Sequence, residues 1–265
     1  MSLAYGRASL NAFPMGEPLL NQPTASPRIT LRVPGAWAHP GKLLERLPAG
    51  VRLTPESLLL PDGTAVEFIP MPPDVQFARV FASACRRPPT REEQETLGRY
   101  TVNVGLSGPG GSLAAALAMM RAAAAIVRAG GAGVFIDNSA VAHGGSDWLA
   151  MTDDGGPEAI SYAFTTVIEG RHEVETLGLQ TLGLPNFVVR RGEIDARGGD
   201  WLIEIIRELC RSGRGVDVGH VFADEAGPQF RAVARMDDEF DAESPMHNPY
   251  GRLRIASLRS LAEEN

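Results

Sequence analysis

From Ser112 to Ala129 the chain is almost wholly apolar and dominated by alanine, leucine and methionine, with neither proline nor glycine inside the run. These are strong helix formers, so the pattern predicts a helix, stopped by Gly130 and Gly131. Its only charges, Arg121 and Arg128, lie seven residues apart and share one narrow stripe. A helix of that kind is buried round most of its circumference and meets water along a thin edge. A membrane span is disfavoured because two arginines interrupt the run and glycine clusters flank it. The stretch Tyr100–His143 as a whole reads as strand, glycine-rich loop, apolar helix and strand.

Elsewhere the periodicity changes. Ile29, Leu31 and Val33 alternate with Arg28, Thr30 and Arg32, predicting a strand with one apolar face. Gly41–Leu47 suits a short helix. Val51–Leu60 and Thr64–Pro70 flank Pro61-Asp62-Gly63, a hairpin signal. Ile69-Pro70-Met71-Pro72-Pro73 reads as an extended connector, because prolines remove ladder donors, and it marks a candidate subdomain boundary near 70–90. Thr90 and Glu93 form a capping-box pattern at the start of a helix. Ser146 or Asp147 is the expected cap of a helix entering at Trp148. Ile160–Ile168 and Arg171–Leu179 read as a hairpin about Glu169-Gly170. Phe187–Arg190 reads as a strand. Asp200–Arg211 is an amphipathic helix, with Trp201, Leu202, Ile205, Ile206 and Leu209 on one side. Gln229–Met236 and Leu253–Leu258 close the chain as strands. Strands that arrive both as hairpins and around helices predict an α+β fold: a mainly antiparallel sheet packed with a central apolar helix and further amphipathic helices, the central βαβ unit adding a local parallel pair. Residues 1–27, rich in proline, glycine and serine without a sustained period, read as a flexible tail before a single domain, 28–265.

Composition narrows the function classes. Of 265 residues, 44% are hydrophobic and 22% charged, enough for a real core, and the net charge of −7 argues against nonspecific nucleic-acid binding. Only Cys85 and Cys210 are present, outside any CxxC pattern, so neither a disulfide framework nor a zinc ribbon is expected. That cysteine usage, with no continuous apolar run in residues 1–27, points to the cytoplasm.

The segments Thr176-Leu177-Gly178-Leu179 and Leu182-Gly183-Leu184-Pro185, together with the Pro-rich connector near Met71, the apolar helix followed by Gly133-Val134-Phe135-Ile136, and the helix from Asp200, resemble a bacterial family known only as a domain of unknown function. The resemblance covers roughly Arg28–Gly219. It implies a soluble bacterial domain with these elements in this order, and no activity comes with it. The Ser107–Ser112 loop and the acidic C-terminal segment do not look like hallmarks of that family.

Candidate chemistry is sparse. The loop Gly105–Ser112 between strand and helix could hold an anion through Gly108, Gly110, Gly111 and Ser112. It matches neither GxGxxG nor GxxxxGK[ST] and has no lysine, and a tight structural turn accounts for it equally. His143, His172, His220 and His247 fall near turns or strand ends, and His143, His172 and His247 are the acid-base candidates. No pair has HxH or HExxH spacing, so no metal site is expected. Asp237, Glu239, Asp241 and Glu243 alternate as a calcium ladder would, but only in extended chain. Asp241–Gly251 is a long loop mixing Asp, Ser, His, Asn and Tyr, readable as functional or as a surface turn fixed by two prolines. With no convergent catalytic motif and no cofactor motif, the expectation is a noncatalytic protein-binding or regulatory module whose partner is another protein. The alternative is an enzyme or small-ligand binder using the glycine-rich loop with His143 or His247.

Overall fold

The computed structural model describes residues 26–194, 198–224 and 227–263; the predicted tail, up to residue 25, lies outside them. The described elements run β1 (Arg28–Gly35), α1 (Pro40–Arg46), β2 (Arg52–Leu53), β3 (Ser57–Leu59), β4 (Ala65–Met71), α2 (Phe77–Ala84), α3 (Arg91–Gly98), β5 (Val102–Pro109), α4 (Leu113–Arg128), β6 (Gly133–Ile136) and β7 (Val141–Gly144). They continue with α5 (Gly145–Asp154), α6 (Pro157–Phe164), β8 (Thr166–Glu169), β9 (Glu173–Leu177), β10 (Asn186–Arg190), α7 (Gly198–Ser212), β11 (Val221–Asp224), β12 (Gly227–Met236), β13 (Arg252–Ser257) and α8 (Leu258–Glu263).

The strands form two sheets rather than one. The first has the order β2-β3-β4-β5-β1-β6-β7 and is antiparallel throughout; the second runs β11-β12-β13-β10-β9-β8, with β10 and β13 its parallel pair. The fold is therefore α+β and mainly antiparallel. The parallel pair expected around α4 does not form, because β1 inserts between β5 and β6 and runs antiparallel to both.

Burial follows the alternation in β1. Ile29, Leu31 and Val33 are fully buried on the face that carries α4, which rests on β1, β5 and β6. In α4, Ala122 to Val127 are all buried while Arg121 and Arg128 stay exposed, the thin wet edge that the sequence predicts. Gly108 in β5 lets the helix come close: a Cβ there would stand 2.5 Å from the Met119 sulfur. Helix α6 touches α4 and α7, and α7 lies on β8 and β9, so a single apolar cluster reaches from Ile29 in the first sheet to Ile255 in the second. The opposite face of the first sheet carries a smaller cluster of Phe77, Phe81, Leu97, Phe135 and Ala142, under α2 and α3.

Four expectations need correction. The Pro-rich connector does begin inside the sheet, since β4 runs to Met71 and Pro70 pairs with Val104. This is tolerated because the Phe68 amide bonds Glu56 on the β3 side, which places the Pro70 nitrogen, two residues on, toward the edge that β3 no longer reaches. Residues 160–164 are helical, not extended: Pro157 occupies the first turn of α6, and the hairpin is only β8 and β9. The loop predicted over 105–112 shrinks to Gly110–Ser112, because Gly105–Pro109 belongs to β5. Neither Ser146 nor Asp147 caps α5; its N-cap is Gly144, and the free amide of Ser146 donates to the Glu93 carboxylate at 2.8 Å.

Glu93 thus serves two helices. One oxygen closes the Thr90 capping box at 2.7 Å, and the other takes both the amide and the hydroxyl of Ser146. Burial pushes this carboxyl up, and the Ser146 and Thr90 hydrogen bonds outweigh it, holding Glu93 below the ordinary glutamate range.

Candidate functional site

The histidines that the sequence singles out each have their own surroundings. His143 on β7 is 1% exposed; its Nε2–H donates to the Ala163 carbonyl at 3.0 Å, and its ring lies against Trp148 and Tyr162. His172, in the β8–β9 turn, is exposed and borders an open cavity of about 540 Å³ with Glu173, Glu193 and Ser260. The His220 ring, just before β11, lies tilted against that of Phe222. His247 lies in the loop before β13, where its Nδ1 is 3.0 Å from the Phe240 carbonyl and 3.2 Å from the buried carboxylate of Asp238.

Burial drives the His143 imidazole down to about 4, against the pull of the Ala163 carbonyl and helped by Arg86 and Arg87. A histidine neutral in the fold and free to protonate when unfolded stabilises fully above the unfolded value near 6.5, and that stability is lost as pH falls toward 4. Urea denaturation should therefore show a loss of about 3 kcal/mol across that window. His143→Gln, which keeps a donor for Ala163, should flatten most of that slope; an unchanged slope would assign the pH dependence to other groups.

The four anion-site candidates are engaged within the protein. Gly108 pairs with Ile29 in the sheet, the Gly110 amide donates to the Pro27 carbonyl at 2.8 Å and the Gly111 amide to Thr181 at 2.9 Å, while the Ser112 hydroxyl accepts from the Ala115 amide. The Tyr250 hydroxyl fills the space above Gly111, 2.8 Å from where a Cβ would stand. These glycines admit close neighbours, and the Gly110 and Gly111 amides already have carbonyl partners.

The loop Asp241–Gly251 is joined to the interior. Asn138 and Ser139, in the turn between β6 and β7, and Gln180, Asn186 and Asn248 are each at most 1% exposed. Asn138 accepts from the Thr30 amide at 2.9 Å and donates to the carbonyls of Arg28 and Pro245 at 2.9 and 2.7 Å. The Gln180 amide nitrogen lies within 3.2–3.4 Å of the Asn138, Pro245 and Met246 carbonyls, and Asn248 donates to Leu184 at 3.0 Å. Side chains typical of a surface turn therefore bind the first sheet to the loop leading into β13. Residues 237–243 form bends and turns instead of an extended strand, and Glu239 pairs with Arg252, so Asp237, Glu239, Asp241 and Glu243 do not line up as a ladder. Among the described residues no group of three or more His, Cys, Asp or Glu side chains is arranged to hold a metal ion, and no helix is long and apolar enough to cross a membrane. Burial raises the thiols of Cys85 and Cys210 to about 11, which keeps them protonated.

The most exposed large apolar side chain among the described residues is Val75, at 99%, two residues beyond the Pro-rich connector; Ile69 in β4 and Val80 in α2, on either side of it in sequence, are 41% and 44% exposed. The backbone beneath them is fixed: the Tyr100 hydroxyl accepts from the Asp74 amide at 2.6 Å and donates to the Asp74 carbonyl at 2.7 Å, and the Asp74 carboxylate accepts from Gln76 at 2.8 Å. Phe77 and Phe81, one helical turn apart, are buried and anchor α2, with Phe77 edge-on to Tyr100 and Phe135. The signal available in sequence was that Phe-x-x-x-Phe spacing beside a lone valine in a proline-rich stretch.

Compared with known protein families, characterised proteins and solved structures, the chain matches none.

Proposed function

We propose that the protein is a noncatalytic protein-binding module of the bacterial cytoplasm, and that the segment Ile69–Val80 is the surface that meets its partner. The observation that carries this reading is Val75, an almost wholly exposed valine on a backbone pinned by both Tyr100 hydrogen bonds. Apolar side chains presented on a rigid backbone bind with little ordering cost, and buried at a contact they supply the hydrophobic term.

Val75→Asp with Val80→Asp tests it. Both positions are exposed, so the change should alter stability by no more than about 0.5 kcal/mol per site. Pull-down from the native host should recover a specific protein on the wild type and lose it on the variant. Recovery of the same proteins by both, or no reproducible partner together with metabolite turnover by the pure protein, would overturn the reading.

A further inference from the structure

Independently of that surface, the exposed edge of α4 borders a cleft of about 320 Å³ that the partner reading does not use. Its floor is Ala125, which falls between Arg121 and Arg128 on one stripe of the helix, so a small residue leaves a notch flanked by two guanidinium side chains. The walls are Val51 and Leu60, with prolines from the turns beside them.

The charges in this notch are unequal in their commitments. Arg128 is held by Asp153 at 2.8 Å through one nitrogen, leaving further donors on the same guanidinium. The Asp62 carboxylate, at the rim, accepts from the Thr64 amide at 2.9 Å, and the Arg121 charge acts on it without a close ion pair. Arg121 is exposed and makes no hydrogen bond or close ion pair among the described residues. An apolar cleft with a guanidinium at its rim whose donors make no hydrogen bond among the described residues suits a ligand with an apolar body and one planar anionic end, for which the guanidinium fork is matched.

We propose that this cleft binds a small amphipathic carboxylate, its chain against Val51, Leu60 and Ala125 and its carboxylate on Arg121, with Arg128 assisting. At about 30 Å³ per water-sized group, the volume admits about ten non-hydrogen atoms, the size of octanoate.

Titration of the full-length protein with sodium octanoate, followed by amide chemical shifts, tests this. Saturable shifts confined to the amides of 49–51, 60, 62 and 121–128 are expected, with a Kd on the order of 1 mM for a ligand of this size. Octylammonium, with the same chain and the opposite charge, should leave these amides unmoved. Arg121→Gln, at an exposed position that should not disturb folding, is expected to weaken octanoate about tenfold through loss of the charge-assisted contact. Equal affinity in that variant, equal binding of octylammonium, or shifts scattered over the surface or absent would overturn the proposal.

Discussion

Replacing Gly178 with alanine is expected to cost about 4 kcal/mol or more, a large share of the roughly 5–15 kcal/mol that holds an ordinary domain together. Gly178 follows β9 with φ at +89°, in the left-handed region, and a Cβ there would stand 2.1 Å from the Phe164 carbonyl oxygen and 2.8 Å from the Ser139 Cβ. Two costs add. The backbone conformation itself penalises an L side chain by about 1–2 kcal/mol, and the methyl group meets the main chain of α6, which cannot step aside like a flexible side chain without disturbing the packing of Phe164 against Trp148. Gly63 separates the two costs, because its φ is +88° but nothing lies within 4 Å of the place a methyl group would take. Gly63→Ala should lose only the conformational part, about 1 kcal/mol. Urea denaturation of both variants checks this; similar losses at the two sites would show that the Phe164 contact adds nothing to the cost.

The second large effect is expected at Asn138. Its side chain continues the first sheet beyond the last β1–β6 pair, taking the Thr30 amide, and joins the sheet to the C-terminal loop through Pro245. Asn138→Ala leaves that amide and the Arg28 and Pro245 carbonyls without these partners in the interior, and each such loss costs about 1–3 kcal/mol, less where water can enter. A total near ~3 kcal/mol is expected, with faster amide exchange in 244–248, since the His247 and Asn248 amides depend on the loop's position. Ala140, in the same turn, holds φ at +51°, uncommon for a residue with a side chain. The turn keeps that geometry because its neighbours determine it. A loss below about 1 kcal/mol with unchanged exchange would remove Asn138 as the joint between sheet and loop.

These residues also show what was legible in the sequence. Helix α4, the Thr90–Glu93 capping box, the Asp62-Gly63 turn and the amphipathic α7 are local: each follows from spacing within a dozen or so residues, and each forms as the pattern indicates. What the sequence hid is non-local. Glu93 looks complete as one half of a capping box, and nothing near it reveals that its second oxygen caps α5, 53 residues on. Ile160–Phe164 carries the apolar content of a strand, and Pro157 at the helix start decided otherwise. Asn138, Gln180 and Asn248 have turn-forming side chains; their burial depends on two sheets and a loop meeting at one place, which no window of sequence contains. The histidines drew attention as residue types, whereas the surface proposed for a partner is apolar and begins in what reads as a proline-rich connector.

The partner surface can be tested most directly by placing a photo-crosslinking side chain at Val75, and for comparison at Leu44 and Val218, which are also exposed apolar positions at 49% and 51%. Irradiation in the native host should yield one dominant crosslinked protein from position 75 and none from 44 or 218. Equal crosslinking from all three positions, or none from 75, would contradict the assignment of Ile69–Val80 as the binding surface.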